Sequence, residues 1–323
     1  MANLNYIRAI SSAIREEMAR DDKVVVIGLD VAKSGGAFAA SRGLYEDYGP
    51  ERVRDYPLSE YSLAGVALGA AANGLRPVIE LMFMDFVAVC MSPVANVIAK
   101  MNFQFGGQYK GIPLTIRVPI GMSAGPDHSQ SLEAWFTHTP GLKVVMPGTV
   151  YDVKGLLKSS IRDDNPVIFV EHIGLLRVKA DIPDEEYTIP LGKADIKREG
   201  SDVTLVSWGK MINDALSAAE KLTGEGISVE VVDPLTLSPL DKETILNSVK
   251  KTGKLVIAHE AVKTGGFGGE IAAVVAEEAL DYLDAPIKRV GAPFSIISFC
   301  PPLEKEFLPG EEDIIKAVKE IAA

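Results

Sequence analysis

His128 and Glu60 are the two side chains that the sequence pattern best equips for chemistry. The chain has four histidines, at 128, 138, 172 and 259, so imidazole chemistry must come from few residues. His128 follows an apolar strand-like run, PLTIRVPI at 113–120, and a small-residue loop, GMSAGP at 121–126. A helix-like stretch over 131–136 comes after it. Open α/β sheets place their ligands where a buried strand gives way to a helix. Glu60 closes the polar segment DYPLSE and enters a helix of small residues. Two readings of it stand. A carboxylate there can cap a helix N-terminus, or it can serve acid–base work if it is buried beside a ligand that raises its pKa.

Phe83 and Phe86 flank Met84 and Asp85 at the end of an apolar strand over 77–81. At that spacing two rings are ordinary core. At the carboxyl end of a strand they are also a surface on which a flat ligand can stack.

The glycine-rich segments exclude more than they assign. GMSAG at 121–125 fits the G-x-S-x-G nucleophile elbow, but the elbow needs a helix directly after the serine, and Pro126 and Asp127 suit a loop. TGGFGGE at 264–270 lies between a strand and a helix, yet the G-x-G-x-x-G spacing fails because Ile271 stands where a third glycine is required. There is no Walker loop. The histidines lack zinc spacing and both cysteines stand alone.

The elements that must hold these residues follow from periodicity. Ile7, Ile10, Ile14 and Met18 recur at helical spacing, and a strand over 23–28 follows. Helices are expected over 63–72, 86–103 and 153–161, with strands over 114–118, 144–146 and 167–170. The runs are continuously apolar rather than alternating, as in a parallel sheet covered on both faces. The segment 186–200 is polar and reads as a linker. Beyond it strand and helix alternate again to the end of the chain. The domains expected are therefore 1–185 and 201–323, both α/β.

Composition agrees with two domains. The 323 residues are 47% apolar and 24% charged, enough to bury real cores. Net charge is −11, from 33 basic and 44 acidic residues. No basic cluster interrupts that excess, so neither nucleic acid nor an anionic membrane is an expected partner. Cys90 and Cys300 lie far apart in apolar stretches and are expected as buried free thiols. No signal segment is expected at the start of the chain, and no apolar run reads as reaching the roughly 20 residues of a membrane span. A cytoplasmic protein is expected.

Taken together, seven segments resemble the β subunit of the thiamin-diphosphate-dependent 2-oxo acid dehydrogenases. That family has pyruvate, branched-chain and acetoin members and is related to the transketolases. The segments are PLSE (57–60), GLRPVIELMFMDF (74–86), HSQSLEAW (128–135), PGLKVVMP (140–147), IRDDNPVIFVEH (161–172), LGKADIKREG (191–200) and HEAVKTGGFGGEIAA (259–273). The resemblance covers essentially the whole chain. It implies two doubly wound domains, one like the transketolase pyrimidine-binding domain and one like its C-terminal domain.

The resemblance also implies roles. Glu60 matches the glutamate that hydrogen-bonds a pyrimidine ring nitrogen of thiamin diphosphate and favours the imino tautomer. Phe86, with Phe83 beside it, matches the aromatics that pack on the pyrimidine. His128 matches a histidine that faces the substrate, orients its carbonyl and supplies a proton during acyl transfer to a lipoyl group. The IRDDNP loop matches a structural potassium site, with carbonyls of Leu114, Ser160, Ile161 and Asp163 together with Asn165 as ligands. Oxygen donors suit a hard cation, although Asp163 and Asn165 also suit a plain Asx-type turn.

One motif is missing. The family holds the diphosphate and magnesium through a G-D-G with an Asn pair downstream, and this chain has no G-D-G. The resemblance therefore implies an α subunit that carries that half of the site, in an α2β2 assembly served by a lipoyl acyltransferase. The chain also departs from many relatives, which have acids where Leu29 and Ser92 stand. Leucine cannot relay a proton, so communication between two active sites by that route is not expected. Three functions stay in view: decarboxylation of a 2-oxo acid, cleavage of acetoin, and a non-catalytic structural subunit. A split transketolase half would require phosphate-binding basic residues near the site.

Overall fold

The computed structural model describes residues 1–121 and 125–322, which form two compact units. The described part of unit 1 is residues 1–121, 135–145 and 149–191. That of unit 2 is residues 125–134, 146–148 and 192–322. The chain is thus not divided by a single cut: the segment carrying His128 belongs by its contacts to unit 2.

In unit 1 the strands run parallel in the order Lys143–Val145, Val167–His172, Thr115–Ile120, Arg76–Glu80, Val24–Gly28, Val53–Asp55. Val24–Gly28 is buried along its whole length, as expected for an apolar strand covered on both faces. From it the chain moves outward to Val53–Asp55, then returns to Arg76–Glu80 on the other side. That reversal is a topological switch point, and the carboxyl edge beside it is the default ligand crevice of an open α/β sheet.

Helix Tyr6–Arg20 buries Ile10, Ile14 and Met18 and starts from Asn5, whose side chain accepts from the Arg8 N–H at 2.9 Å. Such a cap contributes about 1 kcal/mol. This helix packs on Val150–Arg162. The two are joined by Glu17, fully buried, which accepts from Arg162 at 2.6 and 2.9 Å. A short antiparallel pair, Ala2–Asn5 with Lys179–Ile182, ties the two ends of the unit together.

Several elements differ from expectation for local reasons. The helix expected over 86–103 is a broken run: a 3-10 turn at Met84–Phe86, helix Val87–Ser92, a π-helical stretch Pro93–Ile98 and helix Met101–Gln104. Pro93 has no N–H to continue the α ladder. The whole run, Met84–Gln104, is nonetheless 21 residues long and apolar enough, by length and composition, to cross a membrane, which the apolar-run reading did not anticipate.

Unit 2 has the strand order Lys288–Ala292, Leu255–Val262, Val203–Ser207, Val229–Asp233, all parallel. Its far edge is Asp195–Arg198, paired antiparallel with Val229–Asp233. The segment expected as a linker thus contains a strand. That strand is only partly covered, so its sequence has no apolar run to announce it. Helices Met211–Thr223 and Glu311–Ala322 close one face around Ile212, Leu222, Ile314 and Val318. Cys90 is buried as expected, but Cys300 is exposed, because its apolar surroundings form an open segment rather than core.

Candidate functional site

At the carboxyl edge of unit 1 lie three of the expected site residues. Glu60 is the first residue of helix Glu60–Ala72, with Ser59 at the cap position. It is half-buried. Burial and the nearby Glu60 carboxylate together push the Cys90 thiol up to about 12, which places Glu60's charge against the start of the broken helical run. Phe83 is buried and Phe86 half-buried. Their rings meet edge to face, with centroids 5.5 Å apart. Phe38, which the sequence reading did not single out, meets Phe83 in the same way at 5.7 Å. Three rings therefore stand in series, each edge against the next face, an arrangement aromatic quadrupoles favour.

A buried charged cluster lies on the same sheet. The Arg117 guanidinium donates to both Glu171 oxygens, at 2.6 and 2.9 Å, and to Glu80 Oε2 at 2.8 Å. All three side chains are almost wholly buried. Burial works against the charge on Arg117, but the two carboxylates outweigh it and hold the guanidinium above its ordinary pKa. At Glu171 burial dominates and pushes the carboxyl up, with Arg117 opposing. Glu80 Oε1 faces the other way and accepts the Ala37 N–H at 2.9 Å.

The expected potassium residues lie at the opposite, amino edge of this sheet. The carbonyl of Leu114 accepts from the Val167 N–H at 2.9 Å. Arg76 donates to the carbonyls of Ile161 and Asp163, at 2.9 and 2.7 Å, and to Asp164 Oδ1 at 2.9 Å. The Asp163 carboxylate accepts from Lys143, from the Asn165 N–H at 2.8 Å and from Asn165 Nδ2 at 3.0 Å. The Asx-type turn is present. Ser160 is buried, and its hydroxyl donates to the Leu156 carbonyl. Among the described residues no group of three or more His, Cys, Asp or Glu is placed to hold a metal ion.

His128 lies in unit 2 and is half-buried. Its N–H donates to the Gly125 carbonyl. Gly125 has φ +76°, and a Cβ there would meet the Phe299 ring at 2.4 Å, so only glycine fits. Met122, Ser123 and Ala124 lie outside the described residues, and the serine of the G-x-S-x-G pattern is among them. After His128 the Ser131 hydroxyl donates to Glu133 at 2.7 Å, and burial pushes the Glu133 carboxyl up. The loop walls a cavity of about 300 Å³ inside unit 2. Gln130, Leu132, Glu260, Ile297 and Leu308 contribute to its lining. It is amphipathic, with polar groups from the loop facing aliphatic side chains.

The structure thus brings Phe83 and Phe86 together at the carboxyl edge that also carries Glu60. His128 belongs to unit 2, and the IRDDNP loop lies at the amino edge of the unit 1 sheet. Sequence reasoning missed Phe38 and the Glu80–Arg117–Glu171 cluster. The only signal for the cluster was charge inside otherwise apolar strands.

Comparison with known proteins accounts for the whole chain. Residues 2–179 match the transketolase pyrimidine-binding domain and residues 192–314 the transketolase C-terminal domain. The chain is 44% identical to the 2-oxoisovalerate dehydrogenase subunit beta of Bacillus subtilis (strain 168), covering 100% of this chain and 99% of that one. It is 43% identical to that organism's pyruvate dehydrogenase E1 component subunit beta, covering 99% of each. Its acetoin:2,6-dichlorophenolindophenol oxidoreductase subunit beta is 44% identical, covering 97% of this chain and 95% of that one. Among solved structures, a split-gene transketolase described as an inactive beta4 tetramer superposes with a TM-score of 0.82 at 25% identity over 99% of both chains.

Proposed function

The chain belongs to the transketolase-like β subunits of the 2-oxo acid dehydrogenases, and from that premise we propose that it forms the pyrimidine half of a thiamin-diphosphate site completed by an α subunit. What carries this reading is the edge-to-face ring pair Phe83–Phe86 at the sheet edge that carries Glu60. A flat heteroaromatic ring with a nitrogen acceptor fits that pairing of aromatic face and carboxyl.

Bound there, thiamin diphosphate supplies a nucleophilic carbon and an electron sink for breaking the bond beside a carbonyl. The protein's own part is narrower. Glu60 is placed to hydrogen-bond the pyrimidine nitrogen from the start of its helix. Phe86 packs on the ring, and Phe83 fixes Phe86. His128 orients the substrate carbonyl and passes a proton in acyl transfer, a task suited to a group that donates and accepts near neutral pH.

Magnesium and the diphosphate fall to the α subunit, since no G-D-G stands in this sequence. An α2β2 assembly with a lipoyl acyltransferase, working in the cytoplasm, follows from the same reading. Potassium is a structural ion in it. A carbonyl oxygen has two lone pairs, so Ile161 and Asp163 retain one each after serving Arg76, and with Leu114, Ser160 and Asn165 they would hold the ion. Whether the substrate is pyruvate, a branched-chain 2-oxo acid or acetoin is a matter for assay, because relatives named for all three are about equally similar.

The test is reconstitution with the α partner, with turnover followed by dye reduction on pyruvate, 2-oxoisovalerate and acetoin. One of the three should dominate. Glu60→Gln should lower turnover at least about a hundredfold, the lower end of the range for a lost proton-transfer group, with assembly intact. Unchanged turnover in that variant would sink the mechanism.

A further inference from the structure

The Glu80–Arg117–Glu171 cluster is buried, yet one of its contacts reaches out of the sheet. Glu80 Oε2 accepts from Arg117, while Oε1 accepts the backbone N–H of Ala37. Ala37 sits in the loop that follows strand Val24–Gly28 and has no regular structure of its own. Its neighbour Gly36 has φ +81°, and a Cβ there would lie 2.2 Å from Glu80 Oε1. The loop therefore seats directly on the carboxylate, and glycine is required for it to do so. One residue further on, Phe38 presses its ring on Phe83, which presses on Phe86.

A buried ion cluster is weak evidence for stability, because desolvation offsets much of the attraction. It is strong evidence for a fixed geometry, since each carboxylate oxygen has one direction to point. Arg117 is gripped by two oxygens of Glu171, so Glu80 cannot rotate without leaving a buried guanidinium N–H unpaired. The position of the Ala37 N–H is set by that constraint.

We propose that Glu80, held by Arg117 and Glu171, is a positioning residue for the cofactor: it fixes the 36–38 loop so that Phe38 braces the Phe83–Phe86 pair against the pyrimidine. This rests on the reading that Phe86 meets the pyrimidine. None of the residues in the relay beyond Phe86 needs to touch the cofactor. The effect expected is on cofactor affinity rather than on the chemical step.

The experiment uses the assembled αβ enzyme. Thiamin diphosphate affinity is measured by calorimetric titration, beside kcat at saturating cofactor and the melting temperature of the cofactor-free assembly. Phe38→Leu, in a half-buried loop position, should raise the Kd about three- to tenfold, the span of a lost edge-to-face ring contact. It should leave kcat within about twofold and lower the melting temperature of the cofactor-free assembly by only a few degrees, because the lost ring contact belongs to the unliganded chain too. Glu80→Gln should raise the Kd in the same direction. If Glu80→Gln does not assemble, Gly36→Ala takes its place, because its methyl group pushes the loop off the carboxylate. An unchanged Kd in Phe38→Leu overturns the relay. A raised Kd in Phe38→Leu with an unchanged Kd in the loop variant overturns the role of the cluster. Failure of the underlying site reading would show separately, as full turnover in Glu60→Gln.

Discussion

A neutral imidazole sealed among glycines sets an acid limit for unit 2. His259 is fully buried and stacks on Trp208 with centroids 5.2 Å apart. Side chains at positions 266 and 268 would come within 2.7 Å of its ring, so the two glycines of the TGGFGG segment are there to make room for it. Burial lowers its pKa from 6.5 to about 4, Arg289 and Lys263 add to the lowering, and only the Ala261 backbone opposes. The native protein thus keeps His259 neutral in a range where the unfolded chain takes up a proton. The unfolded state binds more protons between about pH 4 and 6.5, so stability falls as pH drops through that window, by at most about 1.4 kcal/mol per pH unit. Glu133 acts in the opposite sense: its carboxyl is raised by burial, so its contribution is lost as pH rises above its ordinary range. The difference between parent and His259→Asn isolates the imidazole. In urea titrations at pH 4.5 and 6.5 the variant should be less stable at both, through lost packing, but should show a shallower dependence on pH. Equal slopes would mean that His259 does not titrate with unfolding.

At the scale of elements, the loop between helix Val150–Arg162 and strand Val167–His172 is organised by side chains from other strands. Arg76 spans two of its oxygens, on Asp163 and Asp164, and the Ile161 carbonyl in the last turn of the helix. Arg76→Met should cost about 2–4 kcal/mol, since each lost bond involves a charged donor, and should be read as a drop in melting temperature. If potassium also holds the loop, the parent should melt higher in potassium chloride than in choline chloride at equal ionic strength, and Arg76→Met should widen that gap. Identical melting in both salts would leave Arg76 and Lys143 as the sole cations of the loop. The same scale shows what could be read from sequence. Continuously apolar strands such as VVVIG and amphipathic helices such as Tyr6–Arg20 are visible because local periodicity and burial coincide. Asp195–Arg198 is an edge strand with exposed side chains, and its pairing is nonlocal, so no pattern reveals it. Pro93 was visible, but not the π-helical stretch it starts. Phe38 sits in a loop without periodicity, and the partners of Arg117 lie 37 and 54 residues away, beyond any local signal. Glu60, His128, Phe83 and Phe86 stand out in the sequence by their places at strand ends and helix starts, but their roles come from motif likeness, and the structure supplies only their surroundings.

For the whole molecule, the exposed apolar side chains matter most. Phe103 is 90% exposed at the end of the broken helical run, and Val89 and Val97 are also open to solvent. A 21-residue apolar run that is largely uncovered is a liability for a chain that works alone. The α subunit is expected to cover this run, whose backbone leaves helical geometry at Cys90. Membrane insertion is the other use for such a run. It fits poorly here, since residues 87, 90, 94 and 98 of the run are buried in unit 1 and would have to leave the core. Burying one fully exposed phenylalanine contributes roughly 1.5–3 kcal/mol, about ten- to a hundredfold in affinity. Phe103→Asp should therefore weaken capture of the α subunit by at least about tenfold while leaving the melting temperature of the β chain unchanged, because the ring touches little within its own unit. Light scattering of parent and variant mixed with α at micromolar concentration reads this directly. The parent should give an α2β2 mass and the variant a mixture with free subunits. If the variant assembles as well as the parent, this face is not the one that α covers, and the exposed Phe294–Phe299 segment of unit 2, with Phe294 84% and Ile296 80% exposed, becomes the surface to substitute next.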